Sequence, residues 1–288
     1  MEGLMARKPN RASGYATDQV EHVRATCLYV ATKLGDLADE TVIVGGLVPS
    51  LLIDQNAVGG AEGRHVGTLD LDVGLALAIL DDQRYQALTE RLRQAGFSQD
   101  ETDDGKPTRQ RWQINGPPKV TVDFLIPPSL AADRPGTLRN IESDFAAIIA
   151  PGLQLAFVDR ERVRLDGKTI MGELASREVW VAGPGAYVVL KALAFKNRGE
   201  NKDAYDLFYL LRHFGAGIKD VVARLVPLLH DAEAKEAINV LEKDFSDLDG
   251  VGPRRVADFL RGARDEELQA DVRGLVLDLV ARCKAAER

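Results

Sequence analysis

From Asp18 to Leu37 the apolar residues Val20, Val23, Cys27, Val30, Ala31 and Leu34 recur at three- and four-residue steps, which lays them along one stripe of a helix. Thr41 to Val44 is short, β-branched and closed by Gly45-Gly46, so it reads as a buried strand ending in a tight glycine turn. Leu47 to Ile53 reads as the helix that this turn opens. A glycine-rich stretch, Asn56 to Gly67, then interrupts regular structure. In Leu69 to Leu77 the residues Leu69, Leu71, Val73, Leu75 and Leu77 alternate with Asp70, Asp72 and Gly74, the pattern of a half-buried strand with two acids on one face. Helical spacing returns from Asp81 to Ala95. Thr108 to Ile114 and Lys119 to Ile126 read as two strands joined through Asn115-Gly116-Pro117-Pro118. In the second, Val120, Val122 and Phe124 face one way and Thr121, Asp123 and Leu125 the other. A loop around Pro127 to Pro135 follows, then short strands near Leu153 to Phe157, Glu161 to Leu165 and Glu178 to Ala182.

From Pro184 onward the pattern is amphipathic helix almost without strand signals, and Pro184 itself suits a first helical turn. Leu268, Val272, Leu275, Val276, Leu279, Val280 and Cys283 mark the last helix, and Asp244 to Pro253 reads as an inter-helix loop. The pattern therefore predicts a flexible tail at residues 1–16 and an α/β (α+β) domain with a mixed sheet at 17–183. An all-α C-terminal domain, 184–288, follows a boundary near Gly183.

Composition narrows this picture. The chain has 288 residues, 45% hydrophobic and 28% charged, the values of an ordinary globular protein with a real core. No run of 18 apolar residues occurs and the N-terminal MEGLMARKPNRASGY is too polar for a signal peptide, so no membrane association and a cytoplasmic location are expected. Cys27 and Cys283 lie in helical apolar patterns, which favours buried reduced thiols over a disulfide or zinc site. A net charge of −7 argues against non-specific coating of nucleic acid, which needs clustered Lys and Arg. Local basic clusters remain at Arg109, Arg111 and Lys119; at Arg160, Arg162, Arg164 and Lys168; and at Lys191, Lys196, Arg198 and Lys202.

The chemistry-bearing positions start with Asp70 and Asp72. Two residues apart on a strand, they project from one face about 6.5 to 7 Å apart, close enough to flank hard cations. A lone D-x-D is more often the wet face of a strand. Asp123, mid-strand on a face shared with Thr121, would complete a three-acid site, and the glycine turn upstream offers backbone N–H groups and a positive helix end to a triphosphate. Packing alone would equally explain that turn. In Lys191-Ala-Leu-Ala-Phe-Lys196-Asn-Arg198, Lys191 and Arg198 share a helical face and would reach into a cleft between the two domains. Gly199 should break that helix and Asn201 could cap the next. Asp203 and Asp206 would lie together near its N-terminus. The helix dipole is enough to explain Asp203, and either the dipole or function would explain Asp206. His65 is the histidine nearest the acids, and a loop histidine is ordinarily solvated. Ser50 has no histidine and acid nearby in sequence to suggest a hydrolase triad.

The ordered blocks VIVGG, GTLDLDVGL, VTVDFL and LKALAFKNRGENKDAYDLFYLL resemble the AbiEii/AbiGii-type toxins of the nucleotidyltransferase superfamily. The likeness touches roughly residues 41 to 214. It implies a nucleotidyltransferase-like fold for the N-terminal domain. Gly45 and Gly46 would contact the triphosphate, and Thr68 would support the site. Asp70 and Asp72 would bind Mg²⁺ or Mn²⁺, with Asp123 as third ligand or as base toward the acceptor hydroxyl. Lys191 would hold a phosphate and Asp206 would orient the helical cluster, with Lys202 and Asp203 as companions. Two departures from the family pattern stand out: Leu47 follows the glycines where a small hydroxyl residue is common, and more than twenty residues separate Gly46 from Asp70.

The resemblance implies transfer of a nucleoside monophosphate from an NTP to a hydroxyl, with RNA such as tRNA as acceptor and a cognate antitoxin as partner. A small-molecule acceptor, as for antibiotic-modifying nucleotidyltransferases, is the second reading, and the acidic net charge suits cationic drugs. A non-catalytic nucleotide- or partner-binding protein of the same fold is the third.

Overall fold

A computed structural model describes residues 9–59, 63–76, 82–102, 104–114 and 119–286. Residues 1–8 of the expected tail, Leu77, Asp81 and the Asn115-Gly116-Pro117-Pro118 connection lie outside the described residues. Helix α1 (Thr17–Leu34) buries Val23, Cys27, Val30 and Leu34, the stripe that its spacing predicts, and packs on the sheet. Strand β1 (Thr41–Val44), buried at every position, ends in a 3-10 turn at Gly45–Leu47 that runs into α2 (Val48–Leu52).

Strand β2 (Asp70–Leu75) is followed by α3 (Asp82–Gln94), β3 (Phe97–Glu101), β4 (Pro107–Ile114) and β5 (Val120–Ile126). After β6 (Leu138–Asn140), β7 (Ala146–Ile149) and α4 (Leu155–Val158), a long hairpin forms from β8 (Arg160–Lys168) and β9 (Leu174–Ala182). These strands make one mixed sheet in the order β3-β4-β5-β2-β1-β9-β8, with β7 also beside β5 and β6 beside β7. β2 runs parallel to β5 and β1 parallel to β9, whereas β1–β2, β4–β5 and β8–β9 are antiparallel. The central strands are buried on both faces, as parallel pairing requires.

Several elements depart from the sequence reading. Leu153 to Phe157 is not a strand. Pro151-Gly152 turns the chain, Glu233 accepts the Gly152 N–H at 2.7 Å, and α4 follows with Leu155 and Ala156 buried. β3 has one good strand former, Phe97, and β7 begins with two alanines, so local propensity hides both. They are held by pairing to β4 and β5 and by Phe145, which packs its ring against Trp112 and Phe124.

From Pro184 every described regular element is helical: α5 (Pro184–Arg198), α6 (Asn201–His213), α7 (Ile218–Leu225), α8 (Ala232–Phe245), α9 (Val251–Leu260) and α10 (Glu266–Ala286). Helix α5 is nearly enclosed, packing on α6, α7 and α8. Its N-terminus is satisfied from the sheet side, where the buried Asp159 carboxylate accepts the Ala186 N–H at 2.8 Å and also pairs with Arg224. Gly199 ends α5 with φ +62°, the left-handed conformation that glycine adopts without strain. Asn201 does not cap α6. The side chain donates to the Asn10 carbonyl and accepts from Arg255, and the residue preceding the helix is Glu200. Pro253, expected in a loop, lies in the first turn of α9. Residues 9–16 run along this helical face, with Tyr15 against Phe259 and Arg11 donating to the Gly262 carbonyl.

Candidate functional site

Strand register builds the acidic cluster. In β2 and β5, Asp72 is the cross-strand partner of Asp123, and Asp70 pairs with Thr121. One carboxylate oxygen from each of Asp70, Asp72 and Asp123 lies within 4.8 Å of the other two. Asp70 and Asp123 are buried, and Thr68 donates from its hydroxyl to Asp70 Oδ1 at 2.8 Å. Like charges this close raise one another's energy unless cations answer them. Arg111, the β4 partner of Asp123, answers this charge and forks onto Asp123 with Nε–Oδ1 2.7 Å and Nη2–Oδ2 2.5 Å. Asp123 holds the guanidinium firmly in its charged form.

The glycine turn abuts this cluster. Gly45 has φ +71°, and a Cβ there would stand 1.8 Å from Asp72 Oδ2. At Gly46 a Cβ would lie 2.8 Å from Thr68 Oγ1 and 3.3 Å from Lys202 Nζ. Both glycines are therefore demanded by the close approach of Asp72, Thr68 and Lys202. Val44, just before it, pairs with Asp72 in the β1–β2 register.

Helices α5 and α6 carry a buried ionic cluster. Lys191 donates to Asp203 at 3.0 Å and Asp206 at 2.7 Å, Lys202 donates to Asp206 at 2.6 Å, and Arg198 forks onto Asp203 at 2.6 and 2.8 Å. Burial works against both carboxylates, but Lys191 and Arg198 outweigh it and hold Asp203 down at about 2. Lys191 and Lys202 likewise hold Asp206 well below the usual carboxylate range despite burial. Lys191, expected to reach a phosphate, is spent on the two aspartates and only 6% exposed. Lys202 stands over the glycine turn, and Arg198 lines the same cleft as Asp72 and Asp123.

His65, which the sequence reading leaves aside, completes this cluster. Its Nε2 donates to Asp206 Oδ1 at 2.8 Å, its Nδ1 accepts the Gly67 N–H at 3.1 Å, and Tyr205 and Tyr209 flank the ring. Burial pushes the imidazole down to about 4, so it is neutral near pH 7. Ser50 Oγ lies 3.3 Å from Nδ1, which puts serine, histidine and aspartate in one line. This is not a hydrolase triad, because Nδ1 already accepts from Gly67 and burial makes the ring a poor base.

A cleft of about 730 Å³ opens over the acids, lined by Asp72 and Asp123 and by Arg111, Arg198, Lys202 and Arg255. Its donor set is all oxygen at the acids, and apart from Glu200 the other charged groups that line it are cationic, which suits a divalent ion and a polyphosphate. The three carboxylates fit such an ion: one oxygen of each lies within 4.8 Å of the other two, close to the span of about 4 Å between opposite ligands of an octahedral Mg²⁺ shell.

Sequence reasoning missed Arg111 as an acid-site residue, although its position follows from counting back across the β4–β5 connection. No comparable signal marked His65.

Acids on neighbouring strands of a mixed sheet beside a glycine turn agree with the nucleotidyltransferase-like arrangement that the sequence resemblance implies. The profile of one family, described as nucleotidyl transferase AbiEii toxin, Type IV TA (toxin–antitoxin) system, matches residues 64–281. The chain belongs to this family, and the matched stretch holds Asp70, Asp72, Asp123, Lys191 and Asp206. No curated protein matches the chain. Among the described residues no helix is long and apolar enough to cross a membrane.

Proposed function

We propose that the protein is a divalent-metal-dependent nucleotidyltransferase that moves a nucleoside monophosphate from an NTP to a hydroxyl of an RNA such as tRNA. It acts in the cytoplasm as the toxin of a toxin–antitoxin pair, restrained by a cognate antitoxin. The observation that carries this reading is the convergence of Asp70, Asp72 and Asp123 with a glycine turn whose Cβ space is filled by Asp72, Thr68 and Lys202.

Asp70, Asp72 and Asp123 would hold Mg²⁺, or Mn²⁺ in its place, which supplies positive charge to the phosphates and to the oxygens that attack and leave. Thr68 fixes the rotamer of Asp70. The Gly45-Gly46 turn would offer backbone N–H groups to the triphosphate, with Lys202 facing its oxygens. Lys191 and Asp206 act behind Lys202: Asp206 anchors the Lys202 ammonium, and Lys191 keeps Asp206 charged. As an alternative to a ligand role, Asp123 would take the acceptor hydroxyl's proton once Arg111 no longer engages its oxygens. The cationic wall of the cleft favours a nucleotide and an RNA backbone over a cationic drug, which supports the RNA acceptor above the small-molecule one.

The test incubates purified protein with each α-labelled NTP, Mg²⁺ and total RNA. Label on RNA with pyrophosphate release, lost in Asp72→Asn, is expected. Absence of transfer to any acceptor overturns the proposal, label on an aminoglycoside but not on RNA selects the small acceptor, and NTP binding without Mg²⁺ dependence or turnover selects a binding protein.

A further inference from the structure

Asp72, Asp123 and Arg111 stand side by side on three adjacent strands, in register. The Arg111 fork engages both oxygens of Asp123, and Nη2 comes within 3.9 Å of Asp70 Oδ2. Its side chain is 13% exposed, so water screens this interaction weakly. A guanidinium fork and a divalent ion both draw on the same carboxylate oxygens. Three carboxylates with Arg111 carry a net charge of −2, and without it −3. Arg111 also lines the cleft shared with Arg198 and Lys202, where a polyphosphate would meet it. Phosphate oxygens match the guanidinium fork as well as a carboxylate does.

Resting on the metal-dependent reading above, we propose that Arg111 is a positioning residue that competes with the divalent ion for Asp123. It releases Asp123 when the polyphosphate of an incoming nucleotide takes its guanidinium. Ion loading is thereby tied to nucleotide loading: with the cleft free of nucleotide, Asp123 is committed to Arg111, and the ion has Asp70 and Asp72 as its strong ligands.

Two binding measurements on the full chain test this without using activity. Mn²⁺ affinity is followed by electron paramagnetic resonance, and inorganic triphosphate affinity by calorimetry in metal-free buffer. Arg111→Gln should bind Mn²⁺ more tightly than the parent chain, on the order of tenfold, because a competing charge has gone, and should bind triphosphate more weakly. Asp123→Asn should show the opposite signs: weaker Mn²⁺ binding and tighter triphosphate binding, since Arg111 no longer has to leave a carboxylate. The double variant should gain much less Mn²⁺ affinity over Asp123→Asn than Arg111→Gln gains over the parent, because the competition runs through Asp123 and only the general repulsion of the lost charge remains. A purely structural role would weaken both ligands in both variants. Mn²⁺ binding by Arg111→Gln no tighter than that of the parent, or triphosphate binding by Asp123→Asn no tighter, overturns the proposal. If thermal melting shows that Arg111→Gln does not fold, the Asp123→Asn arm decides. Absence of nucleotide transfer with these opposite signs intact would sink the nucleotidyltransferase reading alone, and transfer without them would sink this inference alone.

Discussion

Gly45 and Asp72 occupy one another's space: the Cβ that Gly45 lacks would fall 1.8 Å from Asp72 Oδ2. In Gly45→Ala two costs combine. The backbone at φ +71° is strained for alanine by about 1–2 kcal/mol, and the Asp72 carboxylate is displaced. Nucleotide transfer should fall on the order of 10²-fold, the usual result of misplacing a reacting group by about 1 Å. Gly172→Ala, at φ +82° with nothing within 4 Å of a Cβ, is the control that carries only the backbone cost. Equal loss of transfer in both variants would remove the link between the turn and the acid.

His65 makes stability depend on pH. Its pKa lies at about 4 when buried, below the ordinary 6.5, so the unfolded chain binds more protons between these values. Its contribution is full above pH 6.5, falls as pH drops through this window, and amounts to about 3 kcal/mol. Urea denaturation from pH 7 to 4 should show that slope, and His65→Gln should flatten it. An unchanged slope in the variant would show that another group is responsible.

Lys191→Met should destabilise the protein by about 3–5 kcal/mol, because it leaves Asp203 and Asp206 buried with one fewer cation. The denaturation midpoint reads this directly. A loss of transfer with no change in midpoint would instead place Lys191 at the substrate.

Asp72→Asn should melt no lower than the parent chain in the absence of divalent ions, since it relieves repulsion with Asp70 and Asp123. Mg²⁺ at a hundredfold excess over its Kd should stabilise the parent by about 2.7 kcal/mol, a rise of a few degrees, and should leave the variant unmoved. Thermal melts with and without Mg²⁺ decide the point.

The sequence exposes those parts of the site that follow from periodicity and register. Asp70 and Asp72 are legible because strand alternation puts them on one face, and Asp123 because its own strand alternates. Gly45-Gly46 is legible as a turn, but its real reason, the bulk of Asp72 and Thr68 against it, is a contact between segments more than twenty residues apart. The sequence places Lys191 at a phosphate through the helical face it shares with Arg198 and through the family resemblance. That face turns inward because Asp203 and Asp206 from α6 draw the ammonium into the core, a pairing that helical spacing within α5 cannot reveal. β3 and β7 were missed for a similar reason: pairing and aromatic packing hold them, against weak local preference.

The bond from His65 to Asp206 joins residues 141 apart in the chain. At roughly 5–20 residues per second, a ribosome takes on the order of ten seconds to make that stretch. During that interval the emerging chain presents Asp70, Asp72 and the glycine turn without Lys202 above them or Asp206 to anchor it. A product cut short by an early stop codon, or by proteolysis during synthesis, therefore carries the acids in an unfinished setting, and the cell meets the assembled cleft only once α6 has been made.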